Sequence, residues 1–287
     1  MVAFDVPDLD YTRYTDRQLA AVPLAVLVLA LCVLGGWFLV TGAPVTPGID
    51  FTGGTEVQVS TGASQAQIEE AFPTQPTSVT PTAGGNTYIV TFQSTNTDAL
   101  TNAAQSAGYQ VDSVQATSAN FGAGAQQTGV IGLIAAFAGM ALLVFALFRT
   151  FVPSIAVIAS AFSDIVIPLA LMNLFGIKLS LGTVAALLML IGYSVDSDIL
   201  LNNHVLRRRG DFYESTYRAR RTGVTMTLSS IAAMTVMAVV ASDFVLGIPL
   251  LPEVGTILVM GLITDLMNTY LLNVSLLRWY KYEGVAR

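Results

Sequence analysis

Apolar residues fill this chain in long unbroken runs instead of the short alternating or helical-period patterns of a soluble domain. Set against turn signals, six runs of membrane-crossing length fall at 20–41, 128–148, 153–174, 182–203, 223–245 and 253–277. A helix needs about 20 residues to cross a hydrocarbon core of roughly 30 Å, so each is expected to be a transmembrane helix. The remaining pieces are an N-terminal segment (1–19), a large polar stretch (42–127), an Arg-rich loop (204–222) and a tail (278–287). The first run has the position of a signal peptide. Its apolar stretch is about twice a typical signal core, and acids outnumber bases ahead of it (Asp5, Asp8, Asp10 and Asp16 against Arg13 and Arg17), so it reads as a retained span.

Within 42–127 the pattern changes to period two. Thr55–Val59 alternates as a strand, and Ser64 with Gln67 has capping-box spacing at the start of a short helix. Thr77–Thr82 and Asn86–Gln93 read as strands joined by an Ala83-Gly84-Gly85 turn. Thr97–Gly108 reads as a second helix stopped by Gly108, and Tyr109–Gln115 as a last strand. The order β-α-β-β-α-β is that of a ferredoxin-like α+β domain, a fold that carries no function by itself.

Composition agrees with the pattern: 53% of residues are hydrophobic and 11% charged, where a soluble domain carries roughly 25% charged residues. Charge placement then orients the helices, because short cytoplasmic flanks accumulate Lys and Arg. With six helices, Arg13, Arg17, Arg149, the cluster Arg207, Arg208, Arg209, Arg218, Arg220 and Arg221, then Arg278, Lys281 and Arg287 share one side, and Lys178 alone dissents. Both termini are therefore expected in the cytoplasm and the 42–127 domain outside. The Arg cluster reads as a topology anchor that touches anionic lipid headgroups, or alternatively as a docking surface for another protein. A lone Cys32 excludes a disulfide framework, and neither a phosphate-binding Gly-rich loop motif nor a zinc-protease motif is present, so no enzyme activity, cofactor or metal is expected.

Aspartates in or beside the spans are the candidate chemistry: Asp164, Asp196, Asp198, Asp243 near a helix end, and Asp265. Each costs about 2.5–3.5 kcal/mol at a helix centre. Asp196 and Asp198 lie about 200° apart around a helix, so they face different neighbours. No Lys or Arg lies at their depth. Either they are protonated, or they bond Asn, Ser, Thr or water, or another subunit supplies the cation. Thr225, Thr227, Ser229, Ser230, Asn268 and Asn273 are the available partners within the chain. His204, following Asn203 two turns beyond Asp196, offers a proton route to the cytoplasm.

Gly48-Ile49-Asp50-Phe51-Thr52-Gly53-Gly54-Thr55, directly after the first helix, resembles the signature that opens the outer domain of the SecD/SecF protein-export membrane proteins. Paired glycines allow a tight turn where the chain leaves the membrane. Phe162-Ser163-Asp164, Ala185–Leu188 with Ile191-Gly192-Tyr193-Ser194, and Thr222–Thr227 after the Arg cluster resemble the SecF branch of that family, as does the six-helix plan. Val195-Asp196-Ser197-Asp198, Asn203-His204 and Gly261–Thr269 are similar to its archaeal members. The resemblance implies half of a resistance-nodulation-division unit, with SecD as the other half. It further implies a SecY-containing translocon and an unfolded translocating polypeptide as partners, and use of the proton-motive force through Asp164, Asp196, Asp198, Asp265 and His204. A small-molecule or lipid exporter of the same superfamily is the alternative, and a scaffold that moves no proton is a third reading.

The outer domain holds Asp50, Glu56, Glu69, Glu70, Asp98 and Asp112 but no Lys or Arg, which argues against nucleic acid or anionic lipid as its ligand. Carboxylate repulsion is relieved by salt, so the composition fits a halophile. The segment 48–118 is expected to unfold at a clearly higher temperature in molar salt than in millimolar salt; equal melting would refute the saline-exterior reading.

Overall fold

The computed structural model describes residues 10–82, 86–207, 211–242, 245, 246, 248 and 250–283. The Ala83-Gly84-Gly85 turn, Arg208, Arg209, Asp243 and Arg287 lie outside the described residues, as do Asp5 and Asp8. Six helices are long and apolar enough to cross a membrane. The first, α1 (Asp16–Thr41), starts at a capping box between Thr15 and Gln18 and ends at Gly42 in the left-handed region. After the α+β domain come α5 (Ala119–Phe148), α6 (Phe151–Phe175), α7 (Leu181–Arg207) and α8 (Phe212–Ala241). The last span runs as α9 (Leu251–Met267), a π-helical stretch Asn268–Asn273, and α10 (Val274–Tyr282).

Several helices reach further than hydropathy predicts. Helix α5 begins at Ala119, capped by Ser118, nine residues before the expected 128. Helix α8 begins at Phe212, capped by the Asp211 side chain, and ends at Ala241. The stretch 204–222 is therefore not a loop, because helix occupies all of its described part except Asp211. Apolar runs report only the lipid-facing portion of a helix. Caps, and pairs such as Arg218 with Glu214 one turn apart, extend it into water.

The α+β domain orders α2 (Ile49–Thr52), β1 (Gly54–Ser60), α3 (Gln65–Ala71), β2 (Ser78–Pro81), β3 (Thr87–Phe92), α4 (Thr97–Ser106) and β4 (Gln110–Thr117). Its antiparallel sheet has the order β2-β3-β1-β4, the ferredoxin-like arrangement. One sheet face (Val57, Val59, Val79, Val90, Phe92) packs on Ile68 and Phe72 from α3 and its end, and on Leu100 and Ala104 from α4.

The Gly48–Thr55 signature is a seam between this domain and the helices, more than the simple turn expected of it. Gly48 N–H donates to Leu179 O at 2.7 Å, and Leu179 N–H donates to Thr46 O at 2.8 Å. The Asp50 carboxylate accepts the Leu181 N–H at 2.9 Å and so caps the start of α7. The Phe51 ring lies over Gly129 of α5 beside Val184 of α7. Gly53 (φ 74°) and Gly54 (φ 123°) permit close backbone approach: a Cβ would stand 2.7 Å from Ala119 Cα on Gly53 and 2.2 Å from Phe92 O on Gly54. Lys178, the base that breaks the charge rule, belongs to this seam. Its ammonium donates to Thr91 Oγ1 at 2.8 Å and to Ser78 Oγ at 3.1 Å, and pairs with Glu56 at 3.5 Å. It ties the sheet to the α6–α7 connection instead of marking a topological side.

Gly54→Ala is expected to cost more than the ~1–2 kcal/mol of left-handed strain alone, because its methyl also meets the Phe92 carbonyl. Protease resistance of segment 54–117 in the full chain should fall accordingly. Gly62→Ala, in open space without positive φ, is the control expected within about 0.5 kcal/mol of the parent.

Candidate functional site

Burial separates the helices into two kinds. In their most apolar windows α6 is 67% and the last span 72% buried, whereas α5 and α8 are each 11% buried. The inner pair, with α7, meets at a polar centre supplied by residues at i, i+3 and i+4 on each helix. Helix α6 contributes Ser160, Ser163 and Asp164; α7 contributes Ser194, Ser197, Asp198 and Asn202; the last span contributes Asp265, Asn268, Thr269 and Asn273. All are fully buried except Ser197, which is half-buried.

Asp164 accepts Ser194 Oγ and Asn268 Nδ2, each at 2.6 Å. One Asp198 oxygen, Oδ1, accepts both Thr269 Oγ1 and Asn273 Nδ2 at 2.8 Å. Ser197 Oγ donates across both oxygens of Asp265, at 2.8 and 2.9 Å. Thr269 Oγ1 also stands 3.2 Å from Asp265 Oδ1, so one hydroxyl bridges two carboxylates. The π-helical stretch makes this possible. Its widened turn keeps Asn268, Thr269 and Asn273 all inside the bundle, whereas a 3.6-residue turn would rotate successive residues away. Among the described residues, none of the four ion pairs reaches these carboxylates, and no metal-ligating cluster is found. Among the described residues they are held by hydroxyls and amides and by no ion pair.

Three of the sequence candidates, Asp164, Asp198 and Asp265, thus converge. Asp196 does not join them: it lies on the opposite, exposed face of α7, as the 200° offset requires, with no hydrogen bond or ion pair among the described residues. That face forms a stripe, Leu181, Ala185, Met189, Gly192, Tyr193, Asp196 and Asn203. Gly192 and Tyr193 of the signature therefore belong to an outer surface, whereas Gly48, Asp50, Phe51, Gly53 and Gly54 belong to the seam. His204 is half-buried, and its Nδ1 pairs with the Leu200 carbonyl of its own helix at 2.8 Å.

Of the expected partners, Asn268 and Asn273 do bond the carboxylates, while Thr225 and Ser229 are exposed and donate to their own backbone one turn back. Ser194, Ser197 and Thr269 were missed. Their signal was present as i+3 and i+4 spacing around the aspartates. Arg278 was also missed as a structural group. Only 8% exposed, it reaches back to the chain start, donating to Tyr11 O at 2.7 Å and Tyr14 O at 2.8 Å and pairing with Asp16.

Comparison with known proteins gives a consistent set of likenesses. A family described as "Protein export membrane protein SecD/SecF, C-terminal" matches residues 96–283, and one described as "SecD/SecF GG Motif" matches residues 38–64. The protein-export membrane protein SecF of Haloferax volcanii is 67% identical over the whole of both chains. That of Methanolacinia petrolearia is 43% identical, covering 96% of this chain and 97% of its own. The crystal structure of SecDF, a translocon-associated membrane protein from Thermus thermophilus, superposes with a TM-score of 0.76 at 17% identity, over 96% of this chain and 39% of that one. This last likeness concerns the fold, and the chain spans well under half of that longer protein.

Asn273→Ala and Thr269→Val each leave Asp198 buried with one donor fewer, and each is expected to cost about 1–3 kcal/mol. Thr225→Val, which touches no carboxylate, is expected within about 0.5 kcal/mol of the parent. Thermal unfolding in detergent checks the contrast, and equal melting of all three variants would show that the network contributes no stability.

Proposed function

The chain belongs to the SecD/SecF family of protein-export membrane proteins, and from that premise we propose that it is the SecF half of a SecD–SecF pair that couples the proton-motive force to translocation through a SecY-containing channel. The observation that carries the coupling is the Thr269 hydroxyl between Asp198 and Asp265. A hydroxyl has one hydrogen, so a proton on one of the two carboxylates strengthens both contacts together, the hydroxyl donating to one carboxylate and accepting from the other. Three carboxylates with no ion pair among the described residues, two of them bridged by a hydroxyl that can reorient, form a site whose proton count sets how α6, α7 and the last span pack. Moving one charge through 100 mV makes about 2.3 kcal/mol available, which shifts a two-state packing equilibrium about fifty-fold.

The seam turns such repacking into work. Asp50 and Gly48 fix the α+β domain to the start of α7, and α7 carries Asp198 at its other end, so a change in α7 is transmitted to the domain without a flexible joint. The domain then acts on an unfolded polypeptide leaving the channel. On this reading both termini are cytoplasmic and that domain lies outside, a reading that the Lys and Arg bias of the helix ends supports. The exposed stripe of α7 with its unpaired Asp196 is the surface for SecD, because an unpartnered carboxylate facing lipid is costly whereas a partner subunit can supply its donor.

Asp198→Asn is expected to co-purify with SecD at the parent level yet lose stimulation of export and its sensitivity to uncouplers. Asp196→Leu is expected to weaken co-purification instead. Full, uncoupler-sensitive export by Asp198→Asn would end the coupling proposal, and undiminished recovery of SecD with Asp196→Leu would end the assignment of that face.

A further inference from the structure

At the end of the bundle opposite the α+β domain, the residues before α1 fold back onto the helices. Asp10 caps a short 3-10 turn, Tyr11–Arg13, accepting Thr12 N–H at 3.1 Å, Thr12 Oγ1 at 2.5 Å and Arg13 Nε at 2.9 Å. These hydrogen bonds, chiefly those from Thr12, hold the Asp10 carboxyl below the usual carboxylate range. The turn inserts Tyr11, which is wholly buried among Leu19, Leu201, Val205, Phe212, Val274 and Leu277. The Arg278 guanidinium grips the chain at and just after it through the Tyr11 and Tyr14 carbonyls and the Asp16 carboxylate.

A tyrosine is an unexpected residue in that apolar setting, where a phenylalanine would fill the same space. Its hydroxyl is buried without a hydrogen-bond partner, and burial keeps it protonated. The Tyr270 hydroxyl, on the π-helical stretch, is also buried and unpartnered. It is seated against Gly223 of α8, where a Cβ would stand 2.0 Å from the Tyr270 oxygen. Tyr270 lies within electrostatic reach of Asp265, Asp198, Tyr11 and the Arg220 guanidinium of α8, and Arg220 also acts on Tyr11. Asn202, one turn past Asp198 on α7 and fully buried, leaves both amide atoms unpartnered, as do Asn273 Oδ1 and Asp198 Oδ2. Ser160 Oγ, Ser163 Oγ and Asn268 Oδ1 are orphaned within the centre itself; Asn202 extends the series one turn along α7, and Tyr270 lies within electrostatic reach of both the carboxylates and Tyr11. Polar groups that are unsatisfied yet contiguous are costly unless they serve to pass water or protons.

We propose that Asn202, Asn273 and Tyr270 form the cytoplasmic arm of the carboxylate site, and that the segment 10–15 closes it, with Tyr11 as plug and Arg278 as clasp. The arm rests on the orientation and coupling read above, and it replaces His204, whose ring is tied to its own helix on another face. Lifting the segment breaks three contacts of a single guanidinium and exposes one ring, a small change confined to the chain start. The carboxylates then exchange protons with the cytoplasm while the seam keeps the outer end shut.

The test measures access, not transport. In inverted membrane vesicles holding the full chain with its partner, Cys32→Ser removes the native thiol and Asn202→Cys places a reporter beside Asp198. A membrane-impermeant cationic methanethiosulfonate is applied from the cytoplasmic face. Modification is expected to be slow with the clasp intact and at least tenfold faster with Arg278→Gln or Tyr11→Gly. A second reporter, Met172→Cys, buried near the other end of α6, should stay protected in both variants. An unchanged Asn202→Cys rate in both variants would overturn the proposal. Equal opening at Met172→Cys would do the same, by showing general loosening instead of a gate. Because export is not the readout, an open arm in a chain whose Asp198→Asn variant still exports would refute the coupling alone. A closed arm alongside intact coupling would refute the gate alone.

Discussion

The bundle is organised around three buried carboxylates that no ion pair among the described residues reaches. In a hydrocarbon environment that burden is met only by dense hydrogen bonding, protonation, or both. Ser194, Ser197, Thr269, Asn268 and Asn273 supply the donors. To bring them together, α6, α7 and the last span occupy the middle of the bundle while α5 and α8 remain at its outside. The π-helical stretch is the local cost of aiming three polar side chains of one helix at two neighbours. Core apolar packing is arranged around that requirement: Leu187, Leu190, Ile257, Leu258 and Leu262 fill the layer towards the α+β domain, where no polar centre interrupts it.

The two ends of the bundle are closed by different chemistry. Towards the α+β domain the closure is backbone against backbone, with Gly48, Gly53, Gly54 and Gly122 removing side-chain volume and Asp50 and Lys178 adding two polar ties. Such a seam is stiff, because apart from Lys178 and the Phe51 ring its contacts involve main chain or a short side chain. At the other end one arginine holds a peptide segment by three contacts, and a tyrosine fills the gap. That closure can be undone at one residue. The joint at the α+β domain is therefore the stiffer of the two, and the one at the chain start the more easily released.

The exposed faces divide along similar lines. Helix α8 presents Arg221, Thr222, Thr225 and Ser229 along one edge, and α7 presents its stripe ending in Asp196 and Asn203. Hydroxyls on α8 satisfy themselves on their own backbone, whereas Asp196 has no partner among the described residues.

Much of this was legible in the residue pattern. Long apolar runs defined six spans because a bilayer demands about 20 apolar residues per crossing, and period-two alternation with turn residues defined the β-α-β-β-α-β domain. The 200° offset between Asp196 and Asp198 was equally readable, because a regular helix fixes angles from sequence separation alone. Which of the two faces inward was not, since hydropathy treats both sides of a helix alike; packing of α7 against α6 and the last span placed Asp198 inside and Asp196 out. Helix ends beyond the apolar runs, the role of Lys178 and the grip of Arg278 on residues more than 260 positions earlier were likewise invisible. The sequence by itself determined how many helices cross and which polar groups they carry, because those are properties of local composition and period. Only the tertiary structure decided which of those groups meet, because hydrogen bonds between distant segments depend on how whole helices are rotated against one another.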